Sequence, residues 1–111
     1  MRHEYNLTDS KADFLRLRQD IMQSNYRLIS QVLKRDRFRH QHTECFRQLT
    51  EREVEVLQLL AAGLNNPKIA QTLSISRYTV ETHRKHLNRK LDIRSYNKLV
   101  KYALAFDLIE F

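Results

Sequence analysis

An all-α chain is predicted, a four-helix domain preceded by a long amphipathic helix, and three observations predict it. The 111 residues include one Gly and one Pro, too few for the tight hairpins of a sandwich or barrel, whose turns need residues that tolerate positive φ. Apolar residues recur at helical spacing over residues 14–33 and again over 56–106. Thr, Asn and Ser stand ahead of the later apolar runs, where helix N-caps belong. The length suits one compact domain with one appendage. A lone cysteine, Cys45, closes no internal disulfide and removes the stapled secreted class. No apolar run approaches the roughly 18 residues of a membrane span. The opening MRHEYNLTDSKADF has no signal-peptide core, so a cytoplasmic chain with no membrane partner is expected.

The N-terminal helix is predicted over about residues 10–34. Phe14, Ile21 and Leu28 recur every seven residues, as do Leu15, Met22 and Ile29, joined by Leu17, Val32 and Leu33. This stripe is wider than a two-stranded coiled-coil seam and needs a partner surface, because an isolated helix does not keep such a face in water. A second subunit, the rest of the chain and a different protein all remain open, with a dimer-forming pair or bundle placed first. Phe14, Leu17, Ile21 and Leu28 are its candidate dimerisation or partner residues. The basic run KRDRFRHQH at residues 34–42 follows and reads as a linker.

Four helices are predicted after it. Thr50 and Glu53 form a capping box, flanked by Leu49 and Val54, and Val56, Leu57, Leu60 and Ala61 then recur until Gly63 stops the helix. Asn66 with Pro67 reads as an N-cap and first-turn proline. Ile69, Ala70 and Leu73 face inward on a helix that Ser74-Ile75-Ser76 breaks after about two turns. Ser76 caps a helix running to about Leu91, and Ser95 caps a last one reaching about Phe106.

Residues 66–85 fit the steric recipe of a helix-turn-helix. Ala70 is small enough for the crook between two closely crossing helices, Ser74 stands where the turn often takes Gly, and Val80 plugs the gap. At about 100° per residue, Val80, Leu87 and Leu91 define one buried stripe of the longer helix. Tyr78, Thr82, Lys85, His86 and Arg89 lie opposite, with Glu81 and Asn88 on a margin. Those side chains offer the donors and acceptors that base edges in a major groove require. A solvated amphipathic helix has the same pattern, but charge tips the balance towards DNA. The chain carries 20 Lys and Arg against 13 Asp and Glu, net +7, and residues 77–101 alone hold eight basic side chains against Glu81 and Asp92.

Residues 49–91, LTEREVEVLQLLAAGLNNPKIAQTLSISRYTVETHRKHLNRKL, resemble the DNA-binding domain of LuxR/GerE-type bacterial transcription regulators, and the likeness continues from Ala103 to Ile109. Leu-Thr-x-Arg-Glu, Ala-x-Gly-Leu-x-Asn, Ile-Ala-x-x-Leu-x-Ile-Ser, Thr-Val-x-Thr-His and the closing Lys-Leu follow one another in the family's order and spacing. The resemblance implies a helix-turn-helix domain over residues 46–111, whose third helix enters the major groove and whose fourth contributes to a dimer interface. Residues 1–45 are then an N-terminal helix and basic linker for oligomerisation or partner binding.

Carried onto this sequence, the family motif puts Glu81, Thr82 and Lys85 at base-facing positions, and Arg89 joins them on the same face. Glu81 either accepts from a cytosine amino group or pairs with Lys85 one turn on. Arg77, Thr79, Arg84 and Lys90 are the candidate phosphate contacts. Leu99, Val100, Tyr102, Ala103 and Phe106 are assigned to dimerisation by the last helix, which has two apolar faces, one of them formed by Val100 and Leu104. The sequence departs from family habit at Tyr96, Lys98 and Asp107, where arginine, glutamate and glycine are frequent.

No catalytic constellation is present. The trio His40, His42 and Cys45 has no zinc-finger spacing, and His83 and His86 lack a hydrolase's carboxylate, so no enzyme, cofactor or metal is expected. Nor does the length leave room for a receiver or ligand-binding module of the kind larger family members carry. The expected function is sequence-specific recognition of double-stranded DNA by a homodimeric transcription regulator at the bacterial nucleoid. Two alternatives stand beside it. One is an interaction protein that captures another regulator through the N-terminal helix. The other is a promoter-recognition module like the fourth region of a sigma factor, which would need RNA polymerase.

Overall fold

The computed structural model describes residues 7–110, with side chains from Lys11 onward. Residues 1–6, the start of the stretch read above as lacking a leader core, lie outside the described residues, as does Phe111. The helices are α1 (Leu7–Arg47), α2 (Glu51–Ala61), α3 (Asn66–Leu73), α4 (Arg77–Leu91) and α5 (Tyr96–Ala105), and no strand occurs among the described residues. The chain divides into one unit ending at Lys34 and a second beginning at Arg35.

One expectation fails here. The basic run at 34–42 is no linker, because α1 continues through it to Arg47. Nothing in the run breaks a helix: residues 7–47 contain neither Gly nor Pro, and Arg, Lys and Gln are good helix formers. The boundary between units accordingly falls between Lys34 and Arg35, not at residue 45. Phe38, His42, Cys45 and Phe46 share one helical face, and Phe38, Cys45 and Phe46 pack on the core of the second unit.

The N-caps of the second unit each satisfy backbone N–H groups that the helix leaves unpaired. Thr50 Oγ1 accepts from Glu53 N at 3.1 Å while Glu53 Oε1 accepts from Thr50 N at 3.2 Å, completing the capping box. Ser76 and Ser95 accept from the backbone N–H of Thr79 and Lys98 at 3.1 and 3.2 Å. For α3 the cap is Asn65 rather than the expected Asn66: Asn65 Oδ1 accepts from Lys68 N at 3.0 Å. Pro67 therefore occupies the second helical position, and the side chain of Asn66 is left available for another use.

The C-terminal ends are built alike. Leu64 N donates to Leu59 O across Gly63 (φ 95°), and Ile75 N to Ala70 O across Ser74 (φ 56°). Ile93 N donates to Asn88 O across Asp92 (φ 51°), and Leu108 N to Ala103 O across Asp107 (φ 58°). These are Schellman closures, in which a left-handed residue turns the chain so that a later N–H reaches back. Only the first uses glycine.

Val56, Leu57 and Leu60 of α2, Ile69 and Ala70 of α3, Val80, Leu87 and Leu91 of α4, and Leu99, Tyr102 and Ala103 of α5 form the core. Helix α2 packs against α3, α4 and α5, and α3 packs against α4. The end of α1 adds an aromatic cluster. Phe38 and His42 stack at 3.9 Å and meet Tyr102 edge-on at 4.9 and 5.3 Å, and Phe46 stacks on Phe106 at 3.9 Å. Burial, with smaller contributions from Cys45 and Asp92, pushes the Tyr102 phenol up to about 12.

This packing corrects the assignment of the last helix. Leu99, Tyr102 and Ala103 are 5, 0 and 0 % exposed within a single chain, so they belong to the domain's own core and offer a partner subunit little or no surface. Phe106 lies against Phe46. Val100, with Leu104, remains half-buried.

The three departures from family habit each have a place in the fold. Tyr96 OH donates to Ala61 O at 3.0 Å, fastening the start of α5 to the end of α2. Lys98 Nζ donates to Asp92 O at 2.8 Å, a cation at the C-terminus of α4 where the helix dipole favours it. Asp107 takes the left-handed backbone usually given to glycine and accepts from Arg39 at 3.2 Å.

Candidate nucleic-acid interface

Helix α4 is placed by its apolar stripe. Val80, Leu87 and Leu91 are 0, 0 and 2 % exposed, and Ala70 in the crook lets α3 approach closely. Two polar ties then fix its orientation. Arg84 Nη1 donates to Asn66 Oδ1 at 2.7 Å, joining α4 to α3 through the asparagine that the cap does not use. Lys90 Nζ donates to both carboxylate oxygens of Glu53, joining α4 to α2. Burial by itself raises the pKa of Glu53. Hydrogen bonds from Lys90 and the Thr50 backbone, with the ammonium's charge, outweigh burial and hold the carboxyl below its ordinary value.

With that stripe and those ties turned inward, Tyr78, Glu81, Lys85 and Arg89 are exposed and Thr82 is half-buried. Tyr78, Thr82, Lys85 and Arg89 fall within about 60° of one another around the helix, a line of side chains along its free face. Lys85 and Glu81 form no ion pair with each other among the described residues, so the intrahelical alternative for Glu81 is not adopted. The Thr82 hydroxyl donates to Tyr78 O at 3.0 Å, which leaves its methyl and lone pairs outward-capable.

The phosphate candidates separate. Arg77 is exposed, and Thr79 is half-buried with its hydroxyl 2.8 Å from that of Ser76. Arg84 is half-buried and already holds Asn66, although a guanidinium has five N–H donors and keeps others. Lys90 does not belong in the set. Its ammonium is taken by a buried carboxylate, so it is a fastener of the fold.

Two features escaped the sequence reading. The core-facing role of Phe38, His42 and Phe46 was legible in their spacing of four and eight residues, but charge in the run hid it. Tyr78, 78 % exposed at the start of α4, was placed on the free face without being given a role. His83 and His86 are half-buried on the flanks of α4.

Comparison with known proteins agrees with this geometry. Residues 47–103, just over half of the 111, match the family described as bacterial regulatory proteins, luxR family. The oxygen regulatory protein NreC of Staphylococcus aureus, in strains JH9, JH1 and Mu3, is 45 % identical over 69 residues, 62 % of this chain and 32 % of NreC. The chain thus spans about a third of the length of the curated relatives it matches. A short helix, a tight turn and a longer helix with a free cationic face stand in the matched segment, and the chain belongs to the luxR family of bacterial regulatory proteins, with that family's helix-turn-helix domain.

Proposed function

We propose that this chain regulates transcription by binding duplex DNA sequence-specifically as a homodimer, with α4 of each copy in a major groove. The observation that carries the proposal is the free face of α4. Lys85 and Arg89 stand exposed there, and Arg77 at the helix start, with no acidic partner among the described residues. Lys85, Thr82, Glu81 and Arg89 are the base-reading side chains, with donors, an acceptor and a methyl to match different base edges. Arg77 and Thr79, with the spare donors of Arg84, position the domain on phosphates. Two copies on a near-palindromic site would set their recognition helices about 34 Å apart. Such a chain works in the cytoplasm, at the nucleoid.

Selection of bound sites from random duplexes by the full chain tests this. Enrichment of a near-palindrome with half-sites one helical turn apart, bound less tightly as salt rises, is the expected result. No enrichment, with no gel shift even at low salt, would overturn it.

A further inference from the structure

We infer that the Phe14, Leu17, Ile21 and Leu28 side of the exposed stripe of α1 is a seam for a second copy of this chain, packed antiparallel, with Leu15, Met22 and Ile29 left on its margin. This rests on the homodimer reading above and adds to it the surface, the orientation and the register. Phe14, Leu17, Ile21 and Leu28 are 63, 58, 52 and 55 % exposed, an apolar face that an isolated helix does not sustain in water. Phe14, Ile21 and Leu28 repeat every seven residues, the period at which helices wind on each other; Leu17 stands at the first d position beside them, and the small or uncharged polar Ser24 and Gln31 at the next two.

The charges bordering this seam name its occupant. Asp13, Asp20, Arg27 and Lys34 also repeat every seven residues, at the g position, so the row is acidic in its first half and basic in its second. None of the four pairs with another residue among those described. Antiparallel pairing sets g against g, and so Asp13 meets the partner's Lys34 and Asp20 meets the partner's Arg27, twice over about a two-fold axis. Parallel pairing sets g against e instead. Asp13 then meets the partner's Arg18, but Asp20 meets the partner's Asn25 and Arg27 the partner's Val32. A helix carrying the same row in reverse supplies every partner, and a second copy is such a helix.

The test uses the full chain with Cys45→Ser. Light scattering is expected to report a dimer at micromolar concentration. Leu17→Cys and Leu28→Cys chains, each oxidised alone, should form no covalent dimer, whereas an equimolar mixture should form one, since Leu17 faces the partner's Leu28 in this register. Asp20→Arg should weaken self-association about tenfold, because like charges replace attractive contacts on both sides, and adding Arg27→Asp should restore it. A chain that stays monomeric alone, whatever other protein it captures, overturns the inference. So does self-crosslinking of Leu17→Cys, which reports a parallel pair, or a failure of Arg27→Asp to rescue. Gel shifts of the same variants on a single half-site report separately on DNA binding, so loss of the seam and loss of the DNA reading are distinguishable.

Discussion

Glu53 and Lys90, 37 residues apart in the chain, hold α2 and α4 together through a carboxylate that is 2 % exposed. The same oxygen that caps Thr50 N at the start of α2 also engages the ammonium near the end of α4. The cap and the interhelical tie therefore stand or fall together, and the orientation of the recognition helix depends on how α2 begins.

Glu53→Gln is expected to lower stability by about 1–3 kcal/mol, since glutamine keeps the cap hydrogen bond and loses the charge that compensates Lys90. Urea unfolding measures it. The acid limb gives a second readout. The folded carboxyl titrates below its ordinary 4.5, so its contribution is complete above that value and is lost as pH falls through the lower, folded one. In Glu53→Gln that part of the stability–pH curve should flatten.

Lys90 and Arg77 should behave oppositely. Lys90→Gln is expected to lower the melting temperature while the salt dependence of DNA binding is unchanged. Arg77→Ala should keep the melting temperature but reduce the slope of log affinity against log salt by about 1, the signature of one lost phosphate contact. Filter binding across a salt series separates them.

For Lys85→Ala the expected change is in discrimination, a loss of about 1–3 kcal/mol at one base pair of the selected site. Competition between the selected duplex and single-position variants measures it. Equal weakening on selected and random duplexes would assign Lys85 to phosphate instead.

Phe46 lies one residue before the family match begins and still packs on Phe106. Phe46→Ala should cost about 2–3 kcal/mol, at or just below the range for deleting a fully buried ring, because the side chain is only half-buried. A chain starting at Arg35 should melt like the intact second unit, and one starting at Gln48 should melt lower.

Ser74 holds a left-handed backbone at φ 56°. Ser74→Gly should stabilise the domain by about 0.5–1 kcal/mol, as relief of the Cβ clash outweighs the added entropy of the unfolded chain. Asp107→Gly should gain less, because it also removes the contact with Arg39.

What the sequence revealed of this fold was local. Thr50, Ser76 and Ser95 announce their helices because capping needs a particular oxygen at a particular position, and the stripe of Val80, Leu87 and Leu91 follows from helical period alone. The adjacent pair Asn65 and Asn66 defeated the same logic, since either can cap and only the three-dimensional fit to Arg84 decides between them. Lys90 was misread for a related reason. A lysine on a basic helix looks solvated until its partner, far away in sequence, is seen to be buried. The helical course of residues 34–47 was hidden because composition suggested a linker while the backbone had no reason to stop.

The corners at Ser74, Asp92 and Asp107 bear on how this domain can evolve. Each is a place where a single substitution to glycine would relax a left-handed bend that the hydrogen bonding already defines. Most substitutions, including those at Glu81, Thr82 or Lys85 that would suit a new operator, weaken a small protein, and drift is halted when too little robustness remains. Here three stabilising substitutions lie outside the free face of α4, so the domain carries a reserve that changes on that face could draw on.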